Sequence, residues 1–298
     1  MRRARSLPKL QSRGADTHKG DFGRVFVLAG SPGMTGAAYL CSKAALRSGS
    51  GLVTLGIPKS LNPIMEVKLT CVMTHPLPET KASTLSYKGR EKILKLCKAS
   101  DVVALGPGLS QDPETRDLIL WLIASIDRTM VIDADGINAL AGSIDTLKKI
   151  KKNVVLTPHP GEMSRLLHLD STKDVQKDRL QVAARFVESM NSTLENGKSV
   201  TLVMKGNQTI VAGPDKICVN HTGNPGMATA GAGDVLSGII VSLIGQGMDV
   251  FDAAQLGVYL HGLAGDIASN NKGEISMIAS DILNYLPDAF LHYKREKK

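Results

Sequence analysis

Residues 224–240, NPGMATAGAGDVLSGII, set small residues and one carboxylate directly ahead of an apolar run. Gly231, Ala232 and Gly233 have little or no side chain, so a ligand can approach their backbone N–H groups closely. With Asp234 in the first turn of a helix over 234–244, the unpaired amides of that turn form an anion site. A carboxylate beside an amide cradle suits phosphoryl transfer. It accepts the proton of an attacking hydroxyl while the amides stabilise charge on the phosphoryl oxygens. The bland alternative is an aspartate that only N-caps a helix after a flexible turn.

Other polar clusters offer partners for this chemistry. KGNQT, with Lys205, Gly206, Asn207, Gln208 and Thr209, stands at a strand end and reads either as a holder of nucleotide phosphates or sugar or as a plain turn. In TPHPGE, His159 lies between two prolines that fix the backbone around it, which presents the imidazole rigidly to a ligand. Asp133 and Asp135 in VIDADG either hold Mg²⁺ or orient a hydroxyl, and Asp133 reads equally as a structural strand-end residue. GSPGMTG (30–36) has neither Walker nor GxGxxG spacing, so its small residues are read as making room for a ligand near Ala37 and Ala38. HExxH and His/Cys clusters are absent, so no metal is expected to be fixed by protein side chains. Cys41, Cys71, Cys97 and Cys218 have no metal-site or CxxC spacing and read as buried free thiols in a reducing compartment. His168 and His261 read as packed on helices.

The elements that must position these groups follow an alternating pattern. RVFVLAG, GLVTLGIP, TCVMTHP, DVVALGPG, TMVID, NVVLTP and TLVMKG read as strands, with TGAAYLCSKAALRSG, KGREKILKLCKAS and DPETRDLILWLIASI as helices between them. TLVMKG and TIVAG flank a turn at 206–208 and form a hairpin, KICVN is a further short strand, and the chain is mainly helical from Ala232 onward. Apolar strands alternating with amphipathic helices predict a three-layer α/β/α fold, its mostly parallel central sheet covered on both faces. The polar loops GSPGMTG, GPGLS, DADG, TPHPGE, KGNQT and NPGMATAGAGD then collect at the carboxyl ends of the strands, where open α/β folds bind ligands.

Composition narrows the function classes. Hydrophobic residues make up 43% and charged residues 21%, which excludes disorder, and no apolar run approaches a membrane span. The basic start is followed by no apolar segment of signal-peptide type, so a cytoplasmic protein is expected. The net charge of +8 lies entirely in the two ends, which leaves residues 20–293 neutral. With aromatic content at 4%, this is not the footprint of a nucleic-acid groove.

Taken in order, HKGDFGRVFVLAGS (18–31), GAAYLCSKAALRSGSGLVTLG (36–56), ALGPGLS (104–110), VIDADGINAL (131–140), LTPHPGEMSRL (156–166), VMKGNQTIV (203–211) and GNPGMATAGAGDVLSGII (223–240) closely resemble the ADP-dependent NAD(P)H-hydrate dehydratases of the ribokinase-like superfamily. The resemblance implies a dehydratase domain over 18–290 between a basic extension at 1–17 and a basic tail at 291–298. It implies repair of the S form of hydrated NADH or NADPH, consuming ADP with Mg²⁺ and releasing AMP and phosphate. By the same resemblance Asp234 is the catalytic base, with Gly233 in the anion hole and on the AMP. Lys205–Thr209 take the nucleotide, and Ala37, Gly108 and His159 contact the hydrated cofactor. Relatives resemble homotetramers, and many are fused to an epimerase domain; with only about 20 residues ahead of the first matching segment, the epimerase is expected as a separate protein. Two rivals stand beside this reading: a ribokinase-like kinase of a hydroxymethylpyrimidine or thiazole alcohol, and an idle nucleotide-binding scaffold.

Overall fold

The computed structural model describes residues 1–4, 6–195 and 197–296. Ten strands form one sheet: β1 (Arg2–Arg3), β2 (Arg24–Leu28), β3 (Leu52–Pro58), β4 (Met73–Leu77), β5 (Val102–Leu105), β6 (Thr129–Ile132), β7 (Val154–Leu156), β8 (Val200–Met204), β9 (Ile210–Ala212) and β10 (Lys216–Val219). Their spatial order is β1-β10-β9-β8-β7-β6-β5-β2-β3-β4. From β8 to β4 every neighbouring pair is parallel, whereas β9 runs antiparallel to both β8 and β10. The predicted strands and the 206–208 hairpin are all present, within three residues at their ends.

Strand periodicity divides the core into two layers. Val25 and Val27 of β2 point into one, with Val102 and Ala104 of β5, where the helices Thr35–Arg47, Ala232–Gly245 and Val250–Lys272 bury their apolar faces. Phe26, Leu28, Val103 and Leu105 point into the other, against the helices Arg90–Lys98, Pro113–Ser125 and Arg179–Asn191. Each fully buried Val, Leu or Phe among these contributes roughly 1.5–3 kcal/mol, which is why unbroken apolar runs, with no polar alternation, mark the central strands.

Several expectations need correction. The first residues carry structure of their own: Arg2 and Arg3 pair with Lys216 and Ile217, and the Arg13 guanidinium stacks 3.9 Å from the Phe22 ring centroid and donates to Gly49 O. The buried Tyr293 hydroxyl, on the helix Leu286–Glu296, donates to Pro8 O. The basic ends are therefore in part built onto the fold. Cys41 and Cys97 are buried as expected, but Cys71 is exposed and Cys218 only partly covered. His168 is exposed in a left-handed turn rather than packed on a helix, whereas His261 lies partly buried on the helix Val250–Lys272, as expected.

Candidate active site

Strands β8, β7, β6, β5 and β2 are adjacent and parallel, so the loops that follow them emerge on one rim. Cross-links tie these loops together. Lys205 N donates to Pro158 O at 2.8 Å, Gly30 N to Pro107 O at 2.9 Å, and Ser31 Oγ to Gly108 O at 2.8 Å. A Cβ on Gly108 would stand 3.1 Å from that of Ala37, so these two predicted contacts are immediate neighbours.

The helix bearing Asp234 starts at Ala232, two residues before the expected point, with Gly231 as its N-cap at φ 91°. Only a residue without Cβ takes this conformation cheaply, and a Cβ here would also meet Leu40 Cδ1 at 2.5 Å. Asp234 is therefore the third helical residue, not the cap. The N–H groups of Gly233 and Asp234 find no acceptor among the described residues, because the 3₁₀-type bond Ala232 N to Thr229 O and the bond Val235 N to Gly231 O leave them free. The Asp234 carboxylate likewise accepts no hydrogen bond from the described residues. Burial, and then the nearby Asp133 charge, push its pKa up to about 7, against the lowering influence of Lys205.

Beneath this helix start lies a buried charge cluster that the sequence did not reveal. Asp133 follows β6 and is 1% exposed. Its Oδ1 accepts from Lys205 Nζ at 2.7 Å and Ala134 N at 2.9 Å, and its Oδ2 from Ser237 Oγ at 2.7 Å. The Lys205 ammonium also lies 3.7 Å from Glu162 Oε2, and a Cβ on Gly233 would be only 3.1 Å from it. Burial disfavours that ammonium, but the Asp133 and Glu162 charges outweigh it and raise its pKa. Lys205 thus meets two carboxylates directly under Gly233, rather than standing free in the KGNQT loop. Ser237, one turn beyond Gly233, and Glu162, within TPHPGE, lacked any signal tying them to Lys205 in sequence.

His159 caps the helix Pro160–Leu166. Its Nδ1 accepts from Gly161 N at 2.9 Å and Glu162 N at 3.3 Å, while Glu162 Oε2 accepts from His159 N at 2.7 Å. This is a capping box with histidine in the place usually held by Ser or Thr. His18 builds the same device in HKGD, with Gly20 N on its Nδ1 and His18 N on Asp21. The His159 ring has its pKa lowered chiefly by burial, its Nδ1 is the capping acceptor, and its Nε2 lies 3.6 Å from Glu162 Oε1. His261, its pKa pushed down to about 4 by burial, contacts Ala232 O through Nε2 at 2.9 Å, behind the helix start.

Of the alternatives for VIDADG, the hydrogen bonds favour a structural role for Asp133 at the strand end. Both Asp133 oxygens are occupied as described, and Asp135 accepts from Ser110 N at 2.8 Å and Asn138 Nδ2 at 3.1 Å. Among the described residues no three His, Cys, Asp or Glu side chains are grouped to hold a metal ion. The KGNQT loop carries Gly206 at φ 129° and Gln208 at φ 54°, with Thr209 Oγ1 donating to Gly206 O at 2.9 Å. The rim can therefore offer two free amides beside a raised carboxyl, and a second turn of free amides on the hairpin: the means to bind phosphate and take a proton.

Comparison with known proteins matches these features to one family. The family model for NAD(P)H-hydrate dehydratase matches residues 25–288. The bifunctional NAD(P)H-hydrate repair enzyme of Moorella thermoacetica is 45% identical over 97% of this chain, which spans 53% of that protein; the chain covers about half the length of most curated relatives it matches. The ADP-dependent (S)-NAD(P)H-hydrate dehydratase of Neisseria meningitidis is 36% identical over 88% of this chain and 83% of its own length. The ADP/ATP-dependent NAD(P)H-hydrate dehydratase of Bacillus subtilis, co-crystallised with ATP/Mg²⁺, superposes with a TM-score of 0.79 at 29% identity, over 95% of this chain and 94% of its own, and shares the ribokinase-like architecture. By the extent of the family match and the Neisseria relative, the chain belongs to the NAD(P)H-hydrate dehydratase family.

Proposed function

We propose that the chain is an ADP-dependent (S)-NAD(P)H-hydrate dehydratase, with residues 18–290 as its catalytic domain. The observation that carries this reading is the Asp234 carboxyl, pushed up to about 7 by burial and accepting no hydrogen bond from the described residues, beside the N–H groups of Gly233 and Asp234, which have no acceptor among those residues. A group of that pKa is about half ionised near neutral pH and basic enough to take a hydroxyl proton. Asp234 removes the proton from the hydrate's ring hydroxyl, whose oxygen attacks the terminal phosphorus of ADP, and AMP leaves. The two amides hold the phosphoryl oxygens as charge shifts between them. The bond from ring carbon to phosphate oxygen then breaks, driven by the adjacent ring-nitrogen lone pair, and loss of the neighbouring proton restores the dihydropyridine. Hydroxide would leave poorly from that carbon; phosphate leaves readily.

In this reading Lys205–Thr209 hold the nucleotide, and Ala37, Gly108 and His159 face the hydrated cofactor. The residues present do not form a magnesium cage, so Mg²⁺ enters with the nucleotide phosphates, as that ion commonly does. An epimerase acting on the R hydrate supplies further substrate. A cytoplasmic location and a homotetramer complete the proposal, and no helix of the described residues is long and apolar enough to cross a membrane.

Product analysis separates this reaction from a simple kinase. Incubated with ADP, Mg²⁺ and the S hydrate, the protein is expected to release AMP, inorganic phosphate and NAD(P)H in equal amounts, and to leave ADP intact without hydrate. A stable phosphorylated product, or phosphate release independent of hydrate, would contradict the assignment.

A further inference from the structure

Arg179 opens the helix Arg179–Asn191, and its guanidinium reaches across to the β8–β9 hairpin. Nη2 donates to Met204 O and Lys205 O, each at 3.0 Å, and Nη1 donates to Asn207 O. Nε is buried with no hydrogen-bond partner among the described residues, so this arginine gives up part of its own solvation to keep that place. The Met204 carbonyl ends β8, and those of Lys205 and Asn207 belong to the turn in which Gly206, Asn207, Gln208 and Thr209 have N–H groups with no acceptor among the described residues.

In a trans peptide the C=O and the following N–H point in opposite directions, and no cis peptide bond occurs among the described residues. Drawing Lys205 O and Asn207 O toward Arg179 therefore turns the N–H groups of Gly206 and Gln208 away from it. Arg179–Asn191 lies in the layer with Phe186 and Val187, and Ala232–Gly245 starts in the opposite layer. Both amides are thus turned away from the helix that carries Arg179 and are left open. Successive amides presented in this way form a concave anion receptor. The left-handed Gly206 belongs to the same design, since a Cβ there would press on Arg179 Nη2 at 3.2 Å.

Resting on the functional reading above, we propose that Arg179 is a positioning residue for the nucleotide: it touches no substrate, but sets the two peptide planes whose N–H groups receive the phosphates of ADP. Only a forked, planar cation spans three carbonyls, so a lysine ammonium in its place would keep the charge and lose the function.

The test is calorimetric titration of the full chain with ADP and, separately, with hydrated NADH. Arg179→Ala is expected to weaken ADP about 10–100-fold, as loss of an outer partner of a ligand-holding group commonly does. Hydrate affinity should be unchanged, Arg179→Lys should remain weak, and added guanidinium should partly restore the alanine variant. A well-folded R179A that binds ADP like the wild type, or one that loses ADP and hydrate equally, overturns the proposal. Should neither variant fold, hydrogen exchange on the wild type decides: ADP must slow exchange at Gly206 and Gln208, and absence of protection there overturns it. A wild-type chain that binds no ADP would instead count against the functional reading.

Discussion

Asp234→Asn is expected to lower kcat for dehydration about 10²–10⁴-fold, the usual loss on removing a general base, while the fold keeps its full stability. Asp234 is the third helical residue, and Gly231 is the N-cap, so asparagine forfeits no capping bond. Stability should even gain at alkaline pH. A carboxyl that titrates at 3.8 in the unfolded chain and at about 7 in the fold holds its proton more tightly when folded. Folding is therefore penalised increasingly between those values, and by the full amount above them. Asparagine carries no such penalty, so Tm for D234N should equal or exceed that of the wild type above about pH 7 and converge with it below about pH 4. In the wild type, kcat/KM should fall as pH drops through about 7, because protonation disables the base; in D234N that limb should vanish. Near-normal kcat in a folded D234N would remove Asp234 from the role assigned to it.

Lys205→Ala is expected to destabilise the fold by roughly 3–5 kcal/mol, since it strands a buried charge by removing its partner. Asp133 is 1% exposed and the Lys205 side chain 18%, with 2.7 Å between the charged atoms. Removing the ammonium also removes a lowering influence on Asp234, so the acidic limb of residual activity should move to higher pH. The neutral pair D133N/K205M distinguishes charge compensation from a direct role. It should recover most of the lost Tm, yet remain weaker than wild type for ADP and unaltered for hydrate. If restoring neutrality also restores ADP affinity and kcat, Lys205 serves only to balance Asp133.

The GAGD junction was legible because three signals coincide there: small residues, one acid, and an apolar run at helical spacing. The central strands were legible because β2, β5 and β8 are buried on both faces and so read as unbroken apolar runs. The charge cluster was not, because Asp133 and Lys205 are 72 residues apart and meet only when β6, β7 and β8 lie side by side. Arg179 escaped notice for another reason: within KDVQKDR an arginine looks like part of a solvated helix face, and nothing local reveals three distant carbonyls. The caps at His18 and His159 did carry a local signal, the shared H-x-G-[DE] spacing, in which the acid stands at the third helical position as in a capping box. The β1 pairing of Arg2 and Arg3 is two residues long, too short for periodicity to show.

The most direct test is recovery of absorbance at about 340 nm, where intact NAD(P)H absorbs and its hydrate does not, when purified protein is given the S hydrate with Mg²⁺ and either ADP or ATP. Phosphorylation at the Asp234 helix start followed by elimination predicts full recovery with nucleotide and none without it, and ADP as the better donor. No recovery with either nucleotide would contradict the account.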